Sequence, residues 1–129
     1  MKHYIVTFLL GLCCFVLLSA CNSKENDITE LSADKVYFFY QTTCPHCHTA
    51  AQYIKNKYPM LKVVSRDIKL PGNKNLFKTA VKKYGINGSV GTPLICFGDH
   101  YIMGWGPNDK QLFDYYVRPY VDNAMQEKK

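Results

Sequence analysis

The sequence predicts an α/β domain over 35–129, a four-stranded mixed sheet flanked by helices in the order βαβαββα. Three observations carry this. Two short apolar and aromatic runs, KVYFFY from Lys35 and LKVVSRDI from Leu61, are each followed by a segment with apolar residues at helical spacing. Two further runs, TPLICF and HYIMGW, are separated by Gly98 and Asp99 alone, which reads as a tight antiparallel hairpin. A last stretch, NDKQLFDYYVRPYVDNAM, returns to helical spacing. Strand–helix–strand–helix connectivity places a parallel pair at the sheet centre.

Each element has its own justification. KVYFFY is a continuous apolar run, as expected of a strand buried on both faces. It ends at QTTCP, where Thr43 is placed to cap a helix and Pro45 suits its first turn, because proline lacks the amide hydrogen that would be unsatisfied there. Ala50, Ala51, Ile54 and Tyr58 recur at helical spacing until Pro59 stops the run. LKVVSRDI is the second strand, closed by LPGN. In the second helix Leu76, Phe77, Ala80, Val81 and Tyr84 form the apolar face, Lys74, Lys78 and Lys82 lie opposite, and Gly85 is the C-terminal cap. The loop INGSVG leads to the hairpin. In the last helix Leu112, Phe113, Tyr116 and Val117 share a face, and Pro119 is expected to kink or interrupt it.

The N-terminus is of a different kind. Residues 1–20 open with Lys2 and His3 after the initial Met, continue as the apolar run YIVTFLLGLCCFVLLSA and are followed at once by Cys21. With Ala20 ending the run and Cys21 following it, that is the layout of an export signal; the competing reading is an uncleaved membrane anchor, since the run nearly reaches the length of a span. LSAC, Leu18 to Cys21, resembles the bacterial lipoprotein lipobox, which implies lipidation of Cys21 as the new N-terminus. Residues 21–34 would then be a lipidated start and a polar, acidic tether of roughly 20 Å root-mean-square span. The fourteen Lys and Arg against six Asp and Glu of 35–129 put the positive charge on the domain. Export argues against nucleic acid as its partner, and the charge suits solubility and an anionic membrane surface.

Of six cysteines, Cys13 and Cys14 fall in the leader and Cys21 at the lipobox, so Cys44, Cys47 and Cys96 remain as thiols. Cys44-Pro45-His46-Cys47 is a dithiol spacing, and with His48 it is also the C-x-x-C-H of c-type haem attachment. For haem, Met60 or Met103 would serve as second ligand. For zinc or copper, His46 and His48 would have to converge with the two sulfurs, which a single helical turn disfavours. The dithiol reading accounts for more: a cysteine at a helix N-terminus faces unpaired amides and the positive end of the dipole, which favour a thiolate. His46 adds a donor or positive charge, and Cys47, one turn in, is the resolving thiol. Cys96, in an apolar strand, reads as a small core residue.

The order of elements, the C-x-x-C opening the first helix and the Thr92-Pro93 opening the third strand together resemble the thioredoxin-like superfamily. YFFYQTTCPHC and GTPLICFGDHYIMGW bring the chain nearest to its glutaredoxin-like minimal form, with a CPHC of the kind found in DsbA-type oxidants, though without their helical insertion. The resemblance implies that Pro93 is cis and faces the dithiol, and that Thr92 and Pro93 hold substrate in an extended pairing. Phe38 stands where thioredoxins carry a buried acid, and GWGPND replaces the glutathione-binding pattern of glutaredoxins. Trp105 is expected to pack or to rim the groove.

The resulting expectation is a thiol:disulfide oxidoreductase of the bacterial cell envelope, lipid-anchored on the periplasmic side. It is monomeric and requires no cofactor. Its partners are protein thiols or disulfides and a redox partner in the membrane or periplasm. An oxidising or isomerising direction is favoured, a reductase fed by a membrane donor is the alternative, and a metal- or haem-bearing electron carrier is the alternative of another class.

Overall fold

The computed structural model describes residues 30–127. The leader, Cys21 and most of the expected tether lie outside the described residues. Within them the chain forms β1 (Val36–Tyr40), α1 (Pro45–Lys57), β2 (Val63–Asp67), α2 (Pro71–Lys83), β3 (Leu94–Phe97), β4 (His100–Met103), α3 (Pro107–Tyr116) and α4 (Arg118–Gln126). The sheet order is β2-β1-β3-β4. β1 and β2 are parallel, and the β1–β3 and β3–β4 pairs are antiparallel. This is the thioredoxin-like fold.

Alternation along β1 divides the core. Val36 and Phe38 face α1, α3 and α4, in a cluster with Cys47, Ala50, Ile54, Ile95, Phe97, Trp105 and Phe113. Tyr37 and Phe39 face α2, with Leu76, Ala80, Leu94 and Cys96. A side-chain period of two makes this division automatic once a strand is covered on both faces.

Four details differ from expectation. The parallel pair is not central: β2 is an edge, and the central pair β1–β3 is antiparallel. The cause is the loop after α2. Helix α2 returns the chain to the end of the sheet where β1 starts, and the segment from Ile86 to Thr92 then runs back to the other end before β3 begins, reversing its direction. Second, the interruption expected at Pro119 does occur but falls at Val117 and is complete, giving two helices with Pro119 in the first turn of α4, where a missing N–H is harmless. The order is therefore βαβαββαα. Third, Asn108 and Asp109, the capping residues with which NDKQLF opens, lie inside α3: its N-cap is Gly106, and Asp109 reaches back from within the helix to accept the Gly106 N–H at 2.7 Å. Fourth, Leu31 is buried in the α2-side cluster, so the packed chain begins before the expected boundary at Lys35.

Two glycines sit where left-handed backbone is required. Gly85 (φ 60°) ends α2 with Gly85 N–H donating to Lys82 C=O and Ile86 N–H to Val81 C=O, the paired bonds of a Schellman cap. Gly98 (φ 59°) takes the first loop position of the hairpin, whose register closes at Phe97 and His100.

Candidate active site

β1 ends at Tyr40, and a turn closed by Cys44 N–H on Gln41 C=O at 3.1 Å aims the chain into α1. The N-cap is Cys44 itself rather than Thr43: its backbone is extended, and its Sγ accepts the Cys47 N–H at 3.2 Å. Pro45 occupies the first helical position. The sulfur therefore takes the place that a serine or aspartate oxygen takes at other helix starts, facing amides that have no intrahelical partner. The first turn holds no acidic residue to compete with a sulfur anion.

Two intervening residues at this point bring the second cysteine under the first. The Cα atoms are 5.3 Å apart, and Cys44 and Cys47 form a disulfide. Cys44 is half-buried at the rim, and Cys47 is 3% exposed, among Phe38, Ala50 and Ile54 of the α1-side core. Phe38 forms part of the apolar floor of the site.

The second wall comes from β3. Antiparallel pairing sets Leu94 opposite Phe39, near the end of β1, so the residues that precede β3 arrive beside the dithiol. The Thr92–Pro93 bond is cis, and the Thr92 carbonyl oxygen lies 3.5 Å from Cys44 Sγ. The Pro93 carbonyl is engaged by Gly104 N–H at 2.8 Å, which ties the end of the hairpin to the same spot. The structure thus brings together Cys44, Pro45, Cys47, Thr92 and Pro93.

The histidines separate. His46 is exposed and makes no hydrogen bond among the described residues. His48 lies on the outer side of the first turn with Nε2 2.8 Å from the Thr42 carbonyl. It also borders a hollow of about 210 Å³ between α1 and the edge strand β2, lined by Phe38, Tyr40, Gln41, Cys47, Ala51 and Ser65. Among the described residues, no three His, Cys, Asp or Glu side chains gather as a metal site would need.

Cys96 is not in the site. It is buried on the α2 face, opposite Tyr37 and Tyr101 in the ladder. Burial pushes its thiol up to about 12, against the opposing pull of the Tyr84 hydroxyl and the Lys83 charge. Trp105 is core packing rather than rim, 7% exposed and set against Tyr53 and Phe113.

Sequence reasoning missed Asp114. Its carboxylate accepts from Tyr53 and Tyr58 at 2.9 and 2.6 Å and from Lys57 at 2.6 Å, fastening α1 to α3. Burial alone would raise this carboxyl, but the Lys57, Tyr58 and Tyr53 hydrogen bonds outweigh it and hold it below its ordinary value. Nothing local marks these residues as neighbours, since the contact spans two separate helices.

No known family profile matches the chain. No curated protein matches it either. Among solved structures, a glutaredoxin from Archaeoglobus fulgidus is similar, at 25% identity over 65% of this chain and 86% of that one, with a TM-score of 0.49. A score of that size adds no weight, and the fold assignment stands on the strand order and pairing of this chain.

Proposed function

We propose that the protein is a membrane-tethered thiol:disulfide oxidoreductase of the bacterial envelope that acts on protein thiols or disulfides. The observation that carries this reading is the Cys44 sulfur, capping α1 and receiving the Cys47 amide, with the Thr92 carbonyl beside it. In the reduced protein the Cys44 thiolate attacks a substrate disulfide. A mixed disulfide forms and one substrate thiolate leaves. Cys47 then attacks Cys44 Sγ, the second substrate sulfur leaves as thiolate, and the protein is left as the disulfide. Run backwards, a substrate dithiol is oxidised and the protein reduced.

Substrate engages in extended form along the backbone before Pro93, which lies outside the ladder that begins at Leu94. The amide that steadies the thiolate steadies the reduced protein, and an exposed His46 adds positive charge nearby when protonated; both make the disulfide the stronger oxidant. An oxidising or isomerising direction follows, with the lipobox-like LSAC supplying the anchor at Cys21 on the periplasmic side.

The test is equilibration of the Cys44/Cys47 pair with glutathione. The expected potential lies between about −120 and −200 mV, the range of oxidants and isomerases. A value near about −270 mV reverses the direction to reductase, and a pair that does not cycle reversibly overturns the assignment itself.

A further inference from the structure

The exchange reaction leaves one proton without a destination. Cys47 must shed its S–H proton before it attacks, and a thiol among apolar neighbours gives that proton up reluctantly. Cys47 is 3% exposed and Phe38 beneath it offers no acceptor. The hollow beside it does. Its volume of about 210 Å³ holds several waters, and His48 borders it together with Cys47.

The ring of His48 is set for this task by its other nitrogen. Nε2 lies 2.8 Å from the Thr42 carbonyl oxygen, and a carbonyl only accepts, so Nε2 carries the hydrogen. In the neutral imidazole the lone pair is then on Nδ1. The bond to the loop holds the ring in the tautomer that leaves a base available, as partners of functional histidines commonly do.

Of the other groups lining this space, Tyr40 contributes a phenol, Ser65 a hydroxyl and Gln41 a carboxamide, which can accept hydrogen bonds but are far weaker bases than an imidazole. Phe38, Ala51 and Ser65 also line a second hollow, bordered by Lys55, whose ammonium only donates, and by Tyr58, whose hydroxyl is engaged with Asp114. Asp67, two residues beyond Ser65 on the same face of β2, accepts the Lys69 N–H at 2.9 Å.

We propose that His48 is the proton acceptor for Cys47 in the resolving step, acting through Nδ1 and water in the hollow between α1 and β2; the proposal rests on the exchange reaction above. The Cys47 proton passes to His48, the Cys47 sulfur bonds to Cys44 Sγ, and the bond from Cys44 to the substrate sulfur breaks with its electron pair going to the substrate. The two protein sulfurs are oxidised, the substrate sulfur is reduced, and the imidazolium returns its proton to that leaving thiolate.

Stopped-flow reaction of the reduced full-length protein with the chromogenic disulfide dithiobis-nitrobenzoate separates the two steps, because each releases one coloured thiolate. The Cys47→Ser variant, which releases only the first, identifies the phases. For the unsubstituted protein the second phase is expected to rise with pH and to level off well below the range in which an ordinary thiol ionises, about pH 8.5. In His48→Gln, whose amide still reaches the Thr42 carbonyl, the second phase at pH 7 is expected to slow by about 10- to 100-fold and its inflection to move toward the thiol range, about pH 8.5. The first phase stays within about twofold. His48→Asn, which lacks that reach, is expected to lose the second phase equally, because the lost group is the base. An unchanged second phase and unchanged inflection in both variants overturns the proposal. Absence of any second release from the unsubstituted protein overturns the exchange reading instead.

Discussion

Cys47 and Cys96 lie on opposite faces of one sheet, and both are almost wholly out of water, at 3% and 1% exposure. Their surroundings differ in what is offered to a sulfur. On the α1 face a helix begins, the Cys47 amide donates to the Cys44 sulfur, and an edge hollow lies beside the pair. On the α2 face Cys96 sits in mid-strand between tyrosines, where burial pushes its thiol up to about 12. Depth alone therefore does not make a cysteine inert or active. The position of a helix N-terminus decides it.

The sharpest way to break this comparison is to remove one sulfur from each face. Cys44→Ser is expected to lower disulfide exchange by at least about a thousandfold, measured with a reduced peptide substrate. Cys96→Ala should leave it within about twofold. A comparable loss in both would show that the α2-side thiol takes part in the chemistry.

The next largest effect is on stability. Phe113, fully buried, packs its ring against Phe97, Tyr53, Tyr58 and Trp105 on the α1 face. Leu76 is a buried aliphatic residue of α2 packed on the other face. Phe113→Ala is expected to cost about 4 kcal/mol and Leu76→Ala about 3 kcal/mol in urea unfolding. Reversal of that order would make the single-helix face the stronger half of the core.

The smallest effect is in pH dependence, and its earliest onset is on the α2 face. Cys96 has a folded value of about 12 against an ordinary 9.0. A raised value means its contribution is complete below pH 9 and is lost as pH climbs toward 12. Tyr58, raised by burial from 10.0 to about 12, fails over the upper part of that window on the other face. Cys96→Val is thus expected to move the start of alkaline unfolding from near 9 to near 10, followed by circular dichroism. Asp114 works on the acid side. Its lowered value means stability present above its ordinary 3.8 and lost as pH falls below it, and Asp114→Asn should flatten that limb.

Much of this was readable in the chain because it is local. Runs such as KVYFFY and TPLICF give strands, Gly98-Asp99 gives a hairpin, and Pro119 signals that the last helical stretch breaks, two residues before it at Val117. The dithiol was legible for the same reason, as two cysteines one turn apart at a helix start. What was not legible depends on distance or on a competition between neighbours. Thr43 is the better capping residue by composition, but the turn from Gln41 puts Cys44 at the cap, and a sulfur fills the role. The central antiparallel pair depends on how far the loop after α2 travels, which no periodicity encodes. Asp114 meets Tyr53 and Lys57 across 61 and 57 positions, and Leu31 is held by the α2-side cluster rather than by any pattern of its own.

The way the chain enters the domain has a directional consequence. Ala33 meets the Tyr120 hydroxyl at 3.0 Å and lies against Gly98, at the end of the sheet where β1 starts, whereas Cys44 follows the end of β1. Any load applied through the N-terminal segment is therefore taken up at one pole while the sulfurs occupy the other. A molecule fastened to a surface by that segment would turn its reactive end outward, toward the solution and whatever unfolded chains it carries.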